Sequence, residues 1–184
     1  VEGVAGSGLV GVAKDQLKKD GVAPALCTGF AVVELDQETG KYEILEYLGV
    51  ADCGTVMHPD GLGAQMHGGA VMGFGMASSE RHVYDPKLGI PANRGLYQQK
   101  PPTYLDVPSK LEWAAVNKPD PQSPFGSRGV GEPPLGAAAS AVASAISDAM
   151  GGHLFNRIPV TPDMIVNAIS GQPQSHKALQ VNTQ

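Results

Sequence analysis

Apolar positions along the chain follow two periods. From residue 28 to residue 52 they alternate, which is the signature of strands with one buried face. Thr28 to Leu35 reads as a strand, Asp36 to Gly40 as a turn, and Lys41 to Asp52 as the returning strand. In the second strand the alternation holds at Tyr42 and Ile44 and resumes at Tyr47 after a slip. Together they predict a β-hairpin with a glycine-containing loop. The hairpin runs out at Ala51-Asp52-Cys53-Gly54-Thr55, a sharp polar loop behind an apolar strand, and strand ends are where sites are commonly built. Helical spacing predicts four further elements. Residues 8–19 place Leu9, Val10, Val12, Ala13 and Leu17 against Lys14, Asp15, Lys18 and Lys19. A second helix begins at Asp60 or a neighbour and runs towards Glu80, a third covers Leu135 to Met150, and a last one covers Pro162 to Ile169 with Thr161 as N-cap. Arg81 to Ile90 reads as a short strand and turn, and Lys110 to Asn117 as another strand. Prolines 91, 101, 102 and 108 argue against any regular element between residues 91 and 108. Strands and helices mix without regular βαβ alternation, so the expected class is α+β. Residues 1–170 are expected to form a single domain and 171–184 a polar tail.

The second helix is unusual in composition. Six glycines (Gly61, Gly63, Gly68, Gly69, Gly73 and Gly75) fall within it, each costing about 1 kcal/mol against alanine. Such a helix is expected to be buried and pressed against other backbone or a cofactor. Gln65 and His67 are the polar side chains in its interior, and His67 is expected to be a satisfied or partly exposed histidine. The third helix is made almost wholly of small residues and is entered through Gly129-Val130-Gly131-Glu132-Pro133-Pro134. Prolines suit a helix start, where a missing N–H costs nothing. Glu132 thus sits at a helix entrance with nothing bulky beside it. It can cap the helix. Buried among apolar neighbours, it can also serve as a general base.

Composition narrows the classes. The 184 residues suffice for one domain with a sizeable core, and 42% hydrophobic against 17% charged residues describes a globular chain. The net charge of −5 and the absence of any lysine–arginine cluster argue against a nucleic-acid footprint. Cys27 and Cys53 make no disulfide framework. Residues 1–7 lack the basic start of a signal peptide, and no apolar run is long enough to cross a membrane. His58 and His67 are nine apart, Cys53 has no C-x-x-C partner, and neither a G-x-S-x-G motif nor a P-loop is present. A protein-ligated metal and a Cys53–histidine nucleophile pair are both poorly supported.

Four ordered blocks carry a resemblance to a known family: residues 51–59 (ADCGTVMHP), 64–80 (AQMHGGAVMGFGMASSE), 102–108 (PTYLDVP) and 124–134 (PFGSRGVGEPP). In this order they resemble the C-terminal part of the large, molybdopterin-binding subunit of the molybdenum hydroxylases, the xanthine dehydrogenase, aldehyde oxidoreductase and carbon monoxide dehydrogenase family. The resemblance implies the C-terminal half of that molybdopterin-binding domain as the fold. It implies Glu132 as the catalytic base beside the molybdenum, with Gly131 next to the cofactor. Gln65 is implied as a hydrogen-bond donor to an oxygen ligand of the metal. Cys53 and Thr55 become contacts to the pterin or its dinucleotide tail. The implied cofactor is molybdenum–molybdopterin, in its cytosine dinucleotide form, held by hydrogen bonds with no protein ligand to the metal. The implied reaction is oxidative hydroxylation of an aldehyde or N-heterocycle with water as oxygen source. Reduction of an aromatic acyl thioester, the chemistry of one branch, and a non-catalytic assembly role remain open alternatives.

The chain also departs from the family pattern. It has His58 where many relatives have Asn, Ala64 where many have Gly, and Arg128 where they have Lys. The family's upstream cofactor loops have no counterpart in it. The expected partners are therefore a chain carrying the N-terminal half of the molybdopterin-binding subunit, a 2Fe-2S subunit and an FAD subunit, besides a small-molecule substrate. A cytoplasmic location is expected, with export alongside a partner as the alternative.

Overall fold

The computed structural model describes residues 24–176. The expected helix at residues 8–19 and the tail beyond residue 176 lie outside the described residues. Strands β1 (Leu26–Leu35) and β2 (Tyr42–Asp52) form the antiparallel hairpin. Asp36 closes its turn by accepting from Glu38 N and Thr39 Oγ1, and Gly40 adopts a positive φ of 69°. The slip in the sequence alternation is a register shift. Val32 pairs with Glu46 but Val33 with Ile44, which leaves Leu45 as the extra residue of a bulge. Tyr42 and Ile44 before it, and Tyr47, Gly49 and Ala51 after it, consequently face the same side. Strand β3 (Lys110–Ala115) lies parallel to β2, giving the order β1-β2-β3. A parallel neighbour needs a crossover, and helix α1 (Pro59–Ser78) begins it.

Helices α1 and α3 (Pro133–Ala149) pack on one another and on the same face of the sheet. The core between them joins Tyr47 to Ala70, Phe74, Ala138, Val142 and Ile146. The Tyr47 and Phe74 rings meet edge to face at 5.2 Å. Helix α4 (Pro162–Ile169) closes the far end of this core through Ile165, and Tyr42 Oη donates to Val160 O at 3.1 Å.

Two expectations are corrected, and a third, the N-cap of α4, holds in position without its side-chain bond. Residues 81–90 form no strand; one bridge, Tyr84 to Pro91, closes a turn in which Asp85 Oδ1 accepts from Lys87 N and Leu88 N. The segment 91–108 does contain regular structure: a four-residue helix α2 (Leu96–Gln99) and a 3-10 turn (Tyr104–Asp106). The prolines flank these turns without interrupting them, and Gly95 N donates to Gln98 Oε1 at 2.9 Å to start the first. Thr161 occupies the N-cap position of α4 without a capping bond; its hydroxyl donates instead to Asp163 Oδ1 at 2.5 Å.

Candidate active site

Close packing of α1 on α3 decides where Gln65 and Glu132 stand. A Cβ at Gly69 would lie 2.6 Å from Pro134 Cβ, and one at Gly73 would lie 2.6 Å from both Ala138 Cβ and Leu135 O. These contacts are too short for any side chain, so the two glycines let the helix backbones meet. Gln65 lies on the same face of α1, one turn before Gly69. The turn of chain facing it is the entrance to α3. A Cβ at Gly131 would stand 3.8 Å from Gln65 Oε1.

Glu132 occupies the N-cap position of α3, yet its side chain makes no capping bond. Pro133 is the first helical residue, and Leu135 N donates to the Glu132 carbonyl at 3.0 Å. Glu132 and Gln65 are both exposed, and neither side chain has a hydrogen-bond partner among the described residues. The buried surroundings expected for Glu132 are not supplied by those residues. Gly129 and Gly68 have open space where a Cβ would stand. The result is an open ledge with two unpaired polar groups on it, one able to accept a proton and one able to donate a hydrogen bond. The positive end of the α3 dipole favours negative charge at the same place.

Behind the ledge, the other two expected residues serve the loops. Cys53 is buried, in a cluster with Ala51, Leu62 and Met66. Thr55 is half-buried; its N–H donates to Gly126 O at 2.7 Å, and its hydroxyl lies 2.6 Å from where a Gly126 Cβ would stand. Arg128 N donates to Cys53 O at 2.7 Å, and Gly54, at φ +71°, bridges to Ser127. The loop after β2 is thereby stitched to the segment that leads into Glu132. Burial, and after it the neighbouring Cys53, pushes the Cys27 thiol above its ordinary range. His58 is occupied too: its Nδ1 accepts from Gly61 N at 2.7 Å and caps α1.

Sequence reasoning missed the supporting roles of four residues: Val130, Arg128, Asp120 and Asp52. Val130 is half-buried against the Cys53–Leu62–Met66 cluster, so the glycine–valine–glycine turn is pinned by its valine. Arg128 Nε donates to Asp120 Oδ2 at 2.6 Å and its Nη1 to Asp52 Oδ2 at 3.2 Å. The Arg128 guanidinium, and after it the Gln122 N–H, holds the Asp120 carboxyl below the usual carboxylate range. An unpaired-looking arginine beside a glycine turn, with two aspartates at a distance in sequence, gave no local signal for this. Among the described residues, no three His, Cys, Asp or Glu side chains gather as a metal-binding group. A cleft of about 960 Å³ lies at the other end of α1, between Met76, Glu80, His82, Gln99 and Met164.

The family model for the molybdopterin cofactor-binding domain matches residues 10–108 of the chain. The chain belongs to that family. A xanthine dehydrogenase molybdenum-binding subunit of Escherichia coli O157:H7 is 35% identical over 150 residues, covering 82% of this chain and 20% of the relative. Among solved structures, quinoline 2-oxidoreductase of Pseudomonas putida 86 superposes with a TM-score of 0.71 at 31% identity, over 78% of this chain and 18% of that one. Aldehyde oxidoreductase of Desulfovibrio gigas does so with a TM-score of 0.66 at 30% identity, over 75% of this chain and 15% of that one. The chain thus spans about a fifth of the curated relative's length. Cys53, Thr55 and Gln65 fall inside the stretch matched by the cofactor-binding domain, whereas Gly131 and Glu132 lie beyond it. A continuous alignment over 82% of 184 residues nevertheless includes Glu132 wherever it starts. The molybdenum hydroxylase resemblance of the sequence and the mixed α and β architecture are both supported by these matches.

Proposed function

We propose that the chain is the catalytic C-terminal portion of a molybdenum hydroxylase large subunit, with Glu132 as the base and Gln65 as the hydrogen-bond donor facing the cofactor. The observation that carries this reading is the approach of the turn before α3 to Gln65 where α1 and α3 touch: a Cβ at Gly131, the residue before Glu132, would stand 3.8 Å from Gln65 Oε1. The donor set fits a group held by hydrogen bonds: an amide beside a glycine backbone that leaves room for it. Bound there, the molybdenum cofactor would supply the two-electron redox chemistry by which a substrate carbon gains oxygen from water. Glu132 takes up the proton released as that oxygen becomes nucleophilic. Gln65 orients the cofactor from the α1 side through its amide N–H. Gly129, Gly131 and Gly68 leave room for it. The Cys53–Thr55 loop holds the rear of the ledge through its backbone, next to the pterin.

Aldehydes and N-heterocycles are the proposed substrate class. The names of the matched proteins support it: xanthine and quinoline are N-heterocycles, and the third is an aldehyde oxidoreductase. The proposed partners are the remainder of the large subunit, a 2Fe-2S subunit and an FAD subunit. The cofactor is proposed in its cytosine dinucleotide form. Purification of the native protein, followed by metal and pterin analysis and mass spectrometry, tests the assignment. Molybdenum, pterin and iron co-purifying with the chain are expected. A homogeneous preparation of the chain that never carries molybdenum or pterin would contradict it.

A further inference from the structure

Glu132 is separated from Arg128 by Gly129-Val130-Gly131, a segment in which only the valine has a side chain to hold it. Two glycines leave this stretch many backbone states, so the place of the Glu132 carboxylate depends on how firmly each end is fixed. At the far end, Pro134 rests on Gly69 of α1. At the near end stands Arg128, whose guanidinium and backbone N–H tie the turn to two separate segments, residues 52–53 and Asp120, and whose Nη1 also donates to Pro24 O at 3.4 Å. Its Nε donates to Asp120 Oδ2 at 2.6 Å, its Nη1 to Asp52 Oδ2 at 3.2 Å, and its own backbone N–H to Cys53 O at 2.7 Å. Asp120 is buried, 4% exposed, and tied down itself: its Oδ1 accepts from Gln122 N at 2.8 Å and its N–H donates to Gly126 O at 2.9 Å. A planar guanidinium can serve two carboxylates at fixed angles, whereas an ammonium acts as a single point charge.

We propose that Arg128 is a positioning residue: gripped by Asp120 and Asp52, it sets the reach and direction of the glycine turn so that the Glu132 carboxylate stands opposite Gln65. The inference rests on the role proposed above for Glu132. A turn released at this end moves the carboxylate by a fraction of its own length, and a misplacement of about 1 Å at a reacting group can cost about 100-fold in rate.

The test is made in the complete native enzyme, with rates expressed per bound molybdenum. Arg128→Met is expected to lower kcat about 10- to 100-fold with KM within about twofold, because binding groups stay in place while the base is displaced. Arg128→Lys is expected to recover most of that loss, since a cation beside Asp120 restores one of the two ties. Asp120→Asn keeps the shape and weakens the other tie, and is expected to lower kcat about threefold to tenfold. A merely structural role would reduce the yield or molybdenum content and leave kcat per molybdenum unchanged. Should Arg128→Met fail to assemble, the two conservative variants carry the decision. Wild-type kcat per molybdenum in both would overturn the proposal. Glu132→Gln in the same enzyme separates the two readings: if it is inactive while the Arg128 and Asp120 variants are unimpaired, the positioning role alone is lost. If Glu132→Gln turns over normally, the base assignment falls and this inference with it.

Discussion

Two tyrosines of β2 show how much a buried hydroxyl depends on its partner. Tyr42 Oη donates to Val160 O at 3.1 Å, whereas Tyr47 Oη is buried with no partner among the described residues. Tyr42→Phe is therefore expected to lower stability by about 1 kcal/mol, the net contribution of an ordinary hydrogen bond. Tyr47→Phe keeps the ring contact with Phe74 and removes an unsatisfied group, so denaturant unfolding should show no loss and a gain of up to about 1 kcal/mol. Burial pushes the Tyr47 phenol up to about 12 and raises that of Tyr42 as well. Their neutral forms are favoured by the fold, and stability is expected to fall as pH rises above about 10, where free tyrosine ionises. Asp120 works in the opposite direction. Its carboxyl is held low by Arg128, so its contribution is present above about pH 4 and is lost as acid protonates it in the folded state. Acid unfolding curves should thus be steeper below about pH 4 for the wild type than for Asp120→Asn. None of these three environments could be read from the sequence, because each depends on which distant residue arrives beside the group.

At the scale of elements, the sequence was most legible where one period ruled a whole segment. The β1–β2 hairpin, the third strand and helix α4 lie where alternation and helical spacing put them, and even the slip before Tyr47 has its counterpart in the bulge at Leu45. Prolines misled between residues 91 and 108 because a four-residue helix needs no proline-free run longer than itself. The glycines of α1 divide by what faces them, which composition does not reveal. Gly73→Ala would push a methyl group to 2.6 Å from Leu135 O and Ala138 Cβ, so it should destabilise by about 1–3 kcal/mol despite alanine's better helix propensity. Gly68→Ala meets nothing within 4 Å and should be neutral or stabilising by up to about 1 kcal/mol in thermal unfolding. The His58 cap gives a third comparison at this scale. An asparagine oxygen can accept from Gly61 N as the His58 Nδ1 does, which accounts physically for the departure from the family's Asn at this position. His58→Asn should leave α1 unchanged, while His58→Ala should cost about 1 kcal/mol.

Over the whole molecule, the proposed site has one side on this chain. The ledge carrying Gln65 and Glu132 is open, and the outer face of the sheet leaves Leu26, Phe30 and Val32 at least half exposed. Both features accord with a chain that spans about a fifth of its curated relative and with the proposed pairing with the rest of a large subunit. The sequence motifs named the residues on this ledge. The structure adds why they meet: Gly69 and Gly73 let α3 lie against α1 so that its entrance falls beside Gln65. Gln65, Gly131 and Glu132 are exposed, and Cys53 is buried. The measurement that tests the central claim most directly is turnover per bound molybdenum of Glu132→Gln in the complete enzyme, on an aldehyde or N-heterocycle that the wild type oxidises. The account predicts a fall of at least about 100-fold with molybdenum content and subunit composition unchanged, as expected for loss of a general base. Turnover within about twofold of wild type at full molybdenum content would contradict it.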